Sequence, residues 1–227
     1  MIKTQPGELN KTEVLRLLGY RGQEVPAEIN ARIDECARQI ISAAAPKVIY
    51  KQIKITEISE TGVCAEGVNF SGRDISHHLD GCGQAVLMAA TLGSDVEKLL
   101  MRSGVSDMTN ALIMDACATE AIEEVCDAFE NALRDELRAQ GLYLTGRFSP
   151  GYGDLPIEMQ GELCTFLDTP RKIGLTVSRS SMLNPGKSVT AILGISEKPV
   201  RISAAGCDAC SKKADCAFRR EGEKCNE

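Results

Sequence analysis

The sequence contains no tryptophan, and aromatic residues make up only 4 % of its 227 positions. Its core must therefore come mainly from Leu, Ile, Val, Ala and Met, which the 43 % apolar content readily supplies. Long hydrophobic runs are missing too. The longest, near residues 86–90 and 191–195, are far too short to span a bilayer. The N-terminal stretch MIKTQPGELNKTE has neither an apolar run nor a small-residue cleavage site, so no secretory signal is expected and the chain is read as cytoplasmic. Positive charge is not in excess. The formal net charge is −6 and Lys and Arg are dispersed, which argues against nucleic acid as a partner. No Gly-rich nucleotide loop follows a first strand, which disfavours a doubly wound methyltransferase. No internal repeat is evident.

Cysteine is what the chain has in quantity. There are ten. In a reducing compartment they are poor candidates for structural disulfides. Cys36, Cys64, Cys82, Cys117, Cys126 and Cys164 stand singly, mostly among apolar or small residues, and read as small buried hydrophobes. The other four follow the pattern Cys207-x2-Cys210-x5-Cys216-x8-Cys225. A CxxC brings two thiolates close enough to share a metal, and two more complete a tetrahedral set. That set suits zinc or a [4Fe–4S] cluster, although it matches neither the ferredoxin run nor a regular zinc-ribbon pair. The alternative is a tail of redox-reactive thiols without metal.

Periodicity divides the chain into a helical segment (1–45), an α+β core (46–197) and the Cys-rich tail (198–227). Asn10 or Thr12 caps a short helix over 13–20, and apolar residues at 3.6-residue spacing predict a second over 26–44, with Pro26 in its first turn. Residues 48–55 and 63–68 read as a hairpin. A short helix over 74–80 is capped by Ser71 or Asp74. The run AVLMAA at 85–90 is bounded like a buried strand. Ser94 with Glu97 predicts a capping box on a helix that Gly104 stops. Ser106 then caps a long helix over 107–140 with Gly141 at its end, either a continuous spine or two kinked helices. Within it, Asp115 reads as solvent-facing, with a ligand-facing acid as the alternative. Further elements are helices over 155–168 and 168–174, and strands over 175–177 and 189–195 that flank the turn Asn184-Pro185-Gly186-Lys187. His77 and His78, the two histidines, do not share a helix face. They read as surface or packing residues near a helix end, with a contact to a corrinoid or metal as the alternative.

The stretch Arg147-Phe148-Ser149-Pro150-Gly151-Tyr152-Gly153 follows the long helix. Pro150 fixes its own φ and biases Ser149 toward an extended state. Gly151 and Gly153 permit positive φ and close approach of a ligand. Such a loop suits a small carboxylate-bearing molecule beside Arg147 and Tyr152. On composition alone, a structural turn with a surface Arg and a packed Tyr is the favoured reading.

Residues 147–152, RFSPGY, resemble the RPxPGY motif of the reactivation domain of cobalamin-dependent methionine synthase, with Phe148 at a family proline. The segment from Ser180 to Val189 is similar to the family's SxxMxPxxSVS, and Asp127-Ala128-Phe129 to the long helix before the loop. The resemblance covers about residues 120–196 well and 45–119 loosely. It implies an activation-domain-like α+β fold with an antiparallel or mixed twisted sheet and long flanking helices. It also implies that S-adenosylmethionine binds at the loop, with Arg147 on the methionine carboxylate, Phe148, Ser149, Pro150 and Gly151 along the adenosyl portion, Tyr152 lining the pocket and Asp127 near the amino group or sulfonium. Leu193 stands where the family has a Tyr. In that family the domain presents S-adenosylmethionine to cobalamin that has been oxidised to cob(II)alamin; one electron arrives and the methyl group passes to cob(I)alamin.

No corrinoid-binding DxHxxG signature occurs here, so the resemblance implies a corrinoid carried by a partner, either a separate methionine synthase core or a related corrinoid protein. A low-potential electron donor is a further expected partner, and an iron–sulfur centre on the four tail cysteines would serve as a relay. No side chain of this chain is expected to act as a catalytic acid or base. The alternatives are an adaptor or redox chaperone for a corrinoid protein without methyl transfer, and a structural zinc protein.

Overall fold

A computed structural model describes residues 6–200. The four tail cysteines, Cys207, Cys210, Cys216 and Cys225, lie outside the described residues. The elements in chain order are α1 (Lys11–Leu17), α2 (Ala27–Ala43), β1 (Lys47–Ser59), β2 (Gly62–Ala65), β3 (Val68–Ser71), α3 (Arg73–His78), β4 (Gln84–Thr91), α4 (Ser94–Ser106), α5 (Met108–Arg138), β5 (Tyr143–Leu144), α6 (Met159–Leu167), α7 (Thr169–Ile173), β6 (Thr176–Val177), β7 (Leu183–Asn184) and β8 (Ser188–Ser196).

The fold is α+β, as expected. Six strands form one antiparallel sheet in the order β3-β2-β1-β4-β8-β5, and β6 and β7 form a separate small ribbon. Helices cover both faces, which explains why β4 reads as an unbroken apolar run. Alternate side chains leave a strand on opposite faces. Val86, Met88 and Ala90 join a core built with α1, α2 and α5, whereas Ala85, Leu87 and Ala89 join a second core with α3, α6 and α7. In β8, Ala191, Leu193 and Ile195 point to the first core and Ile192 to the second. The first 45 residues contribute directly to the first core through Leu9, Val14, Ile33, Cys36 and Ile40.

α5 is continuous over 31 residues, a rod about 46 Å long at 1.5 Å per residue. Its start differs from expectation. Asp107, not Ser106, is the N-cap and accepts from the Thr109 and Asn110 backbone N–H groups. α4 also differs. It continues through Gly104 to Ser106, because a single glycine costs only about 1 kcal/mol in a helix and packing against α5 outweighs it. Gly93, at φ 90°, occupies the N-cap position in place of Ser94. Glu97 does not fold back into a capping box; its carboxylate accepts the Gly186 N–H at 2.8 Å and ties the β7–β8 connection to α4.

Other corrections are local. Asn10 rather than Thr12 caps α1, and Pro26 is the N-cap residue of α2. Gly67, at φ 80°, splits the expected 63–68 strand into β2 and β3. The 175–177 strand pairs with β7, an element the sequence did not suggest, and the 184–187 turn joins β7 to β8. Neither Ser71 nor Asp74 caps α3; Gly72 sits at its N-cap and the capping carboxylate is that of Asp154, from the loop before α6.

Candidate ligand site at the Arg147 loop

α5 carries Glu123, Asp127, Glu130 and Arg134 at spacings of four, three and four residues, which align them along one side of the helix. After α5 ends, β5 brings the chain back along β8, and Arg147 returns its side chain to that stripe. Its Nη1 donates to Asp127 at 2.7 Å and to Glu130 at 3.1 Å, and its Nη2 donates to Glu123 at 2.8 Å. Glu130 also pairs with Arg134, whose Nη1 donates to Asn131 at 2.9 Å. The Arg147 side chain is only 18 % exposed. Burial alone would lower its pKa, but the anionic groups around it outweigh that and the net displacement is upward. Arg147 is therefore a fixed, buried cation with three carboxylates in its shell.

Phe148 points the other way. Its backbone exchanges hydrogen bonds with Ile192, N–H to O at 2.9 Å and O to N–H at 2.8 Å, and its ring buries in the second core. The loop therefore straddles the edge of the sheet: Arg147 reaches α5 on one side and Phe148 faces α3 on the other. The His78 ring lies 5.0 Å from that of Phe148, and Phe148 meets Tyr152 edge-on at 6.1 Å. Tyr152 is 57 % exposed, so its ring is the outer, accessible member of this row. Thr145 Oγ1 lies 3.0 Å from His78 Nε2 and accepts the Gly194 N–H at 2.7 Å, linking imidazole, loop and β8. Burial pushes His78 down to about 4, a hydrogen bond with the Gly146 backbone opposing it, so the ring is neutral near pH 7.

The remainder of the loop is a tight turn. Tyr152 N–H donates to Ser149 O at 3.0 Å, and Gly151 N–H to Leu155 O at 2.9 Å. Gly151 and Gly153 have φ of 90° and 52°. Pro150 is buried and Ser149 half-buried. Asp154 then fastens the loop to α3: its carboxylate accepts the Arg73 N–H at 2.7 Å and the Asp74 N–H at 3.0 Å.

Of the residues singled out in the sequence, Arg147 and Asp127 are in direct contact, and Phe148 to Tyr152 form the adjoining turn. Reading the sequence missed Glu123, Glu130, Arg134 and His78 as members of this cluster. The signal for the first three was the charged stripe on α5, which gains meaning only once the position of Arg147 is known. Asp115 is solvent-facing and pairs with Lys187 at 2.8 Å. His77 is exposed, and His78 is a packing residue against Phe148. Five of the six single cysteines are buried and only Cys64 is exposed. Burial pushes Cys82 up to about 11 and Cys117 and Cys126 to about 12, which makes these thiols inert. A groove lined by Arg38, Lys98 and Arg102 between α2 and α4 shares no residue with the loop. Among the described residues, no three His, Cys, Asp or Glu side chains are grouped to hold a metal ion, and no helix is long and apolar enough to cross a membrane.

Neither a protein-family model nor a curated protein matches this sequence. Solved structures do. One is the crystal structure of the MetH reactivation domain bound to AdoHcy, which superimposes with a TM-score of 0.64 at 13 % sequence identity, over 87 % of this chain and 77 % of that one. The antiparallel sheet with helices on both faces is therefore the fold of a methionine synthase reactivation domain.

Proposed function

We propose that this protein binds S-adenosylmethionine at the Arg147 loop and presents it to a corrinoid carried by a separate protein, a methionine synthase core or a related corrinoid methyltransferase, as a reactivation step. The observation that carries the reading is the buried Arg147 cation, ringed by carboxylates and followed by an exposed Tyr152, on the fold of a domain that has been crystallised with AdoHcy.

The residues fit the ligand's charges. S-adenosylmethionine carries a carboxylate, an ammonium and a sulfonium, one net positive charge. The cluster of three carboxylates and two guanidinium groups carries one net negative charge. Arg147 presents a planar fork suited to the ligand carboxylate. Taking it would release Asp127 or Glu123, the two exposed members, to face the ammonium or the sulfonium. Tyr152 offers an exposed ring face, and the turn at 148–151 offers backbone beside it. The ligand itself supplies an electrophilic methyl group. The protein supplies position and field, and none of its side chains needs to move a proton in the transfer. The tail cysteines Cys207, Cys210, Cys216 and Cys225 would hold a [4Fe–4S] cluster or zinc; a cluster would connect a low-potential donor to the corrinoid.

The test is equilibrium binding of S-adenosylmethionine to wild type, Arg147→Ala and Arg147→Lys. Saturable binding that is lost in the first variant and weakened in the second, with both folded, supports the site. A second reading, an adaptor for a corrinoid protein without methyl transfer, draws on the saturation of Arg147 by its own carboxylates. A folded wild type that fails to bind S-adenosylmethionine, alone and in the presence of a corrinoid protein, favours that second reading.

A further inference from the structure

We infer that Asp154 is a positioning residue for the Arg147 loop, a clamp that sets where Phe148 and Tyr152 stand by locking the loop to α3; this rests on the ligand reading given above. The loop and α3 are some 80 residues apart in sequence, and they meet through both backbone and side chain. Both Asp154 oxygens are used, one on each of two successive backbone N–H groups, Arg73 at 2.7 Å and Asp74 at 3.0 Å. An anion holding two N–H donors at a helix start is a charge-assisted contact, stronger than a neutral pair.

The surrounding glycines show how closely the two segments are fitted. A Cβ on Gly72, which has φ 142°, would lie 2.5 Å from Asp154 Oδ1. One on Gly153, at φ 52°, would lie 2.0 Å from Asp74 Oδ2. Neither position has room for a side chain, and both glycines adopt backbone that other residues avoid. The far end of α3 carries His78, which packs on Phe148 at 5.0 Å and reaches β8 through Thr145. The loop is thus gripped at two points: Asp154 holds its exit and His78 packs beneath its first turn. Tyr152 lies between them, two residues before Asp154. Displacement of Asp154 would swing Tyr152 relative to Arg147, whose own position is fixed independently by α5. A ligand that spans Arg147 and Tyr152 requires that separation to be constant, and a binding constellation must be held to about 0.5 Å by the residues that support it.

The experiment compares Asp154→Ala with Asp107→Ala. Asp107 caps its own helix α5 through the Thr109 and Asn110 N–H groups, pairs with Arg32 at 2.9 Å and touches nothing in the loop, so it reports the effect of losing a capping carboxylate, with its ion pair, elsewhere in the fold. Equilibrium binding of S-adenosylmethionine and amide hydrogen exchange of residues 148–153 are read on wild type and both variants. The expected result is a dissociation constant raised about tenfold and faster exchange of the loop in Asp154→Ala, with neither change in Asp107→Ala. Gly72→Ala, which drives a methyl group against the same carboxylate, is expected to reproduce the Asp154→Ala result. Loop exchange that is unchanged in Asp154→Ala, or changed equally in both variants, overturns the clamp. Faster loop exchange in Asp154→Ala together with binding that equals wild type also overturns it as a positioning residue. If wild type does not bind, the ligand reading fails, and the exchange measurement still decides whether the clamp exists.

Discussion

A half-buried histidine and a buried glutamate in this fold titrate in opposite directions over the same pH range, and their cancellation is testable. His78 is lowered from 6.5 to about 4, chiefly by burial. Between those values the unfolded chain takes up a proton there that the folded chain refuses, so His78 removes stability as pH falls from 6.5 toward 4. Its contribution is intact above 6.5. Glu120, buried on α5, is raised from 4.5 to about 7, again chiefly by burial, with Glu124 and Glu13 adding to the effect. The folded chain takes up that proton first, so Glu120 adds stability as pH falls from 7 toward 4.5. Each displacement corresponds to about 3 kcal/mol. Glu124 is also raised, by burial and then by Asp127, and reinforces the acid side. Asp95 and Asp107 are lowered below the usual 3.8 and act only in more acidic solution.

Wild type should therefore show a nearly level stability profile between pH 7 and 4.5 in urea unfolding. Glu120→Gln should unmask His78, with stability falling by about 3 kcal/mol across the window. His78→Gln should show the reverse, with stability rising on acidification. A His78→Gln profile that parallels wild type would refute the burial argument for the imidazole, and a Glu120→Gln profile that parallels wild type would do the same for the carboxyl.

Two further outcomes follow from packing and pairing. Gly194→Ala should cost about 1–3 kcal/mol through overpacking, because its Cβ would lie 2.5 Å from Cys82 Sγ and 3.0 Å from Leu79 Cδ2; a change below 0.5 kcal/mol in chemical denaturation would contradict the geometry. Glu130→Ala leaves the buried Arg134 without its carboxylate and deprives Arg147 of one of three, for a loss of about 3–5 kcal/mol, whereas removing the exposed partner through Asp127→Ala should cost under about 1 kcal/mol; equal losses would show that burial does not set the value of these pairs.

The parts of the fold that were legible in the sequence are those in which local pattern and tertiary context agree. The AVLMAA run is β4 because helices cover both faces of the sheet, and the periodic stripe at 107–140 is α5 as one rod. Strands β5 and β7, of two residues each, carry no period to detect. The caps failed where the capping group comes from elsewhere. Asp154 serves α3 from 80 residues away, and Glu97 looks like half of a capping box but bonds to Gly186. At the site, residue types alone favour a plain structural turn for the 147–153 stretch. The resemblance singled out Arg147 and Asp127, which lie 2.7 Å apart. Glu123, Glu130 and His78 carry no motif; only the return of β5 alongside β8 brings them to the loop.

The Arg147 loop also shields a strand. β8 presents Ala191, Ile192, Leu193 and Ile195, and its free side is covered by Leu144, Thr145 and Phe148, whose main chains pair with Ile195, Gly194 and Ile192. An uncovered apolar edge of this kind is a template for pairing with other molecules. The segment proposed to face a ligand thus also covers the edge of β8. Substitutions that loosen it would expose β8 to neighbouring copies, so a search for altered ligand preference in this loop would be filtered first by self-association, and variation should be tolerated at the outward Tyr152 before it is tolerated at Phe148.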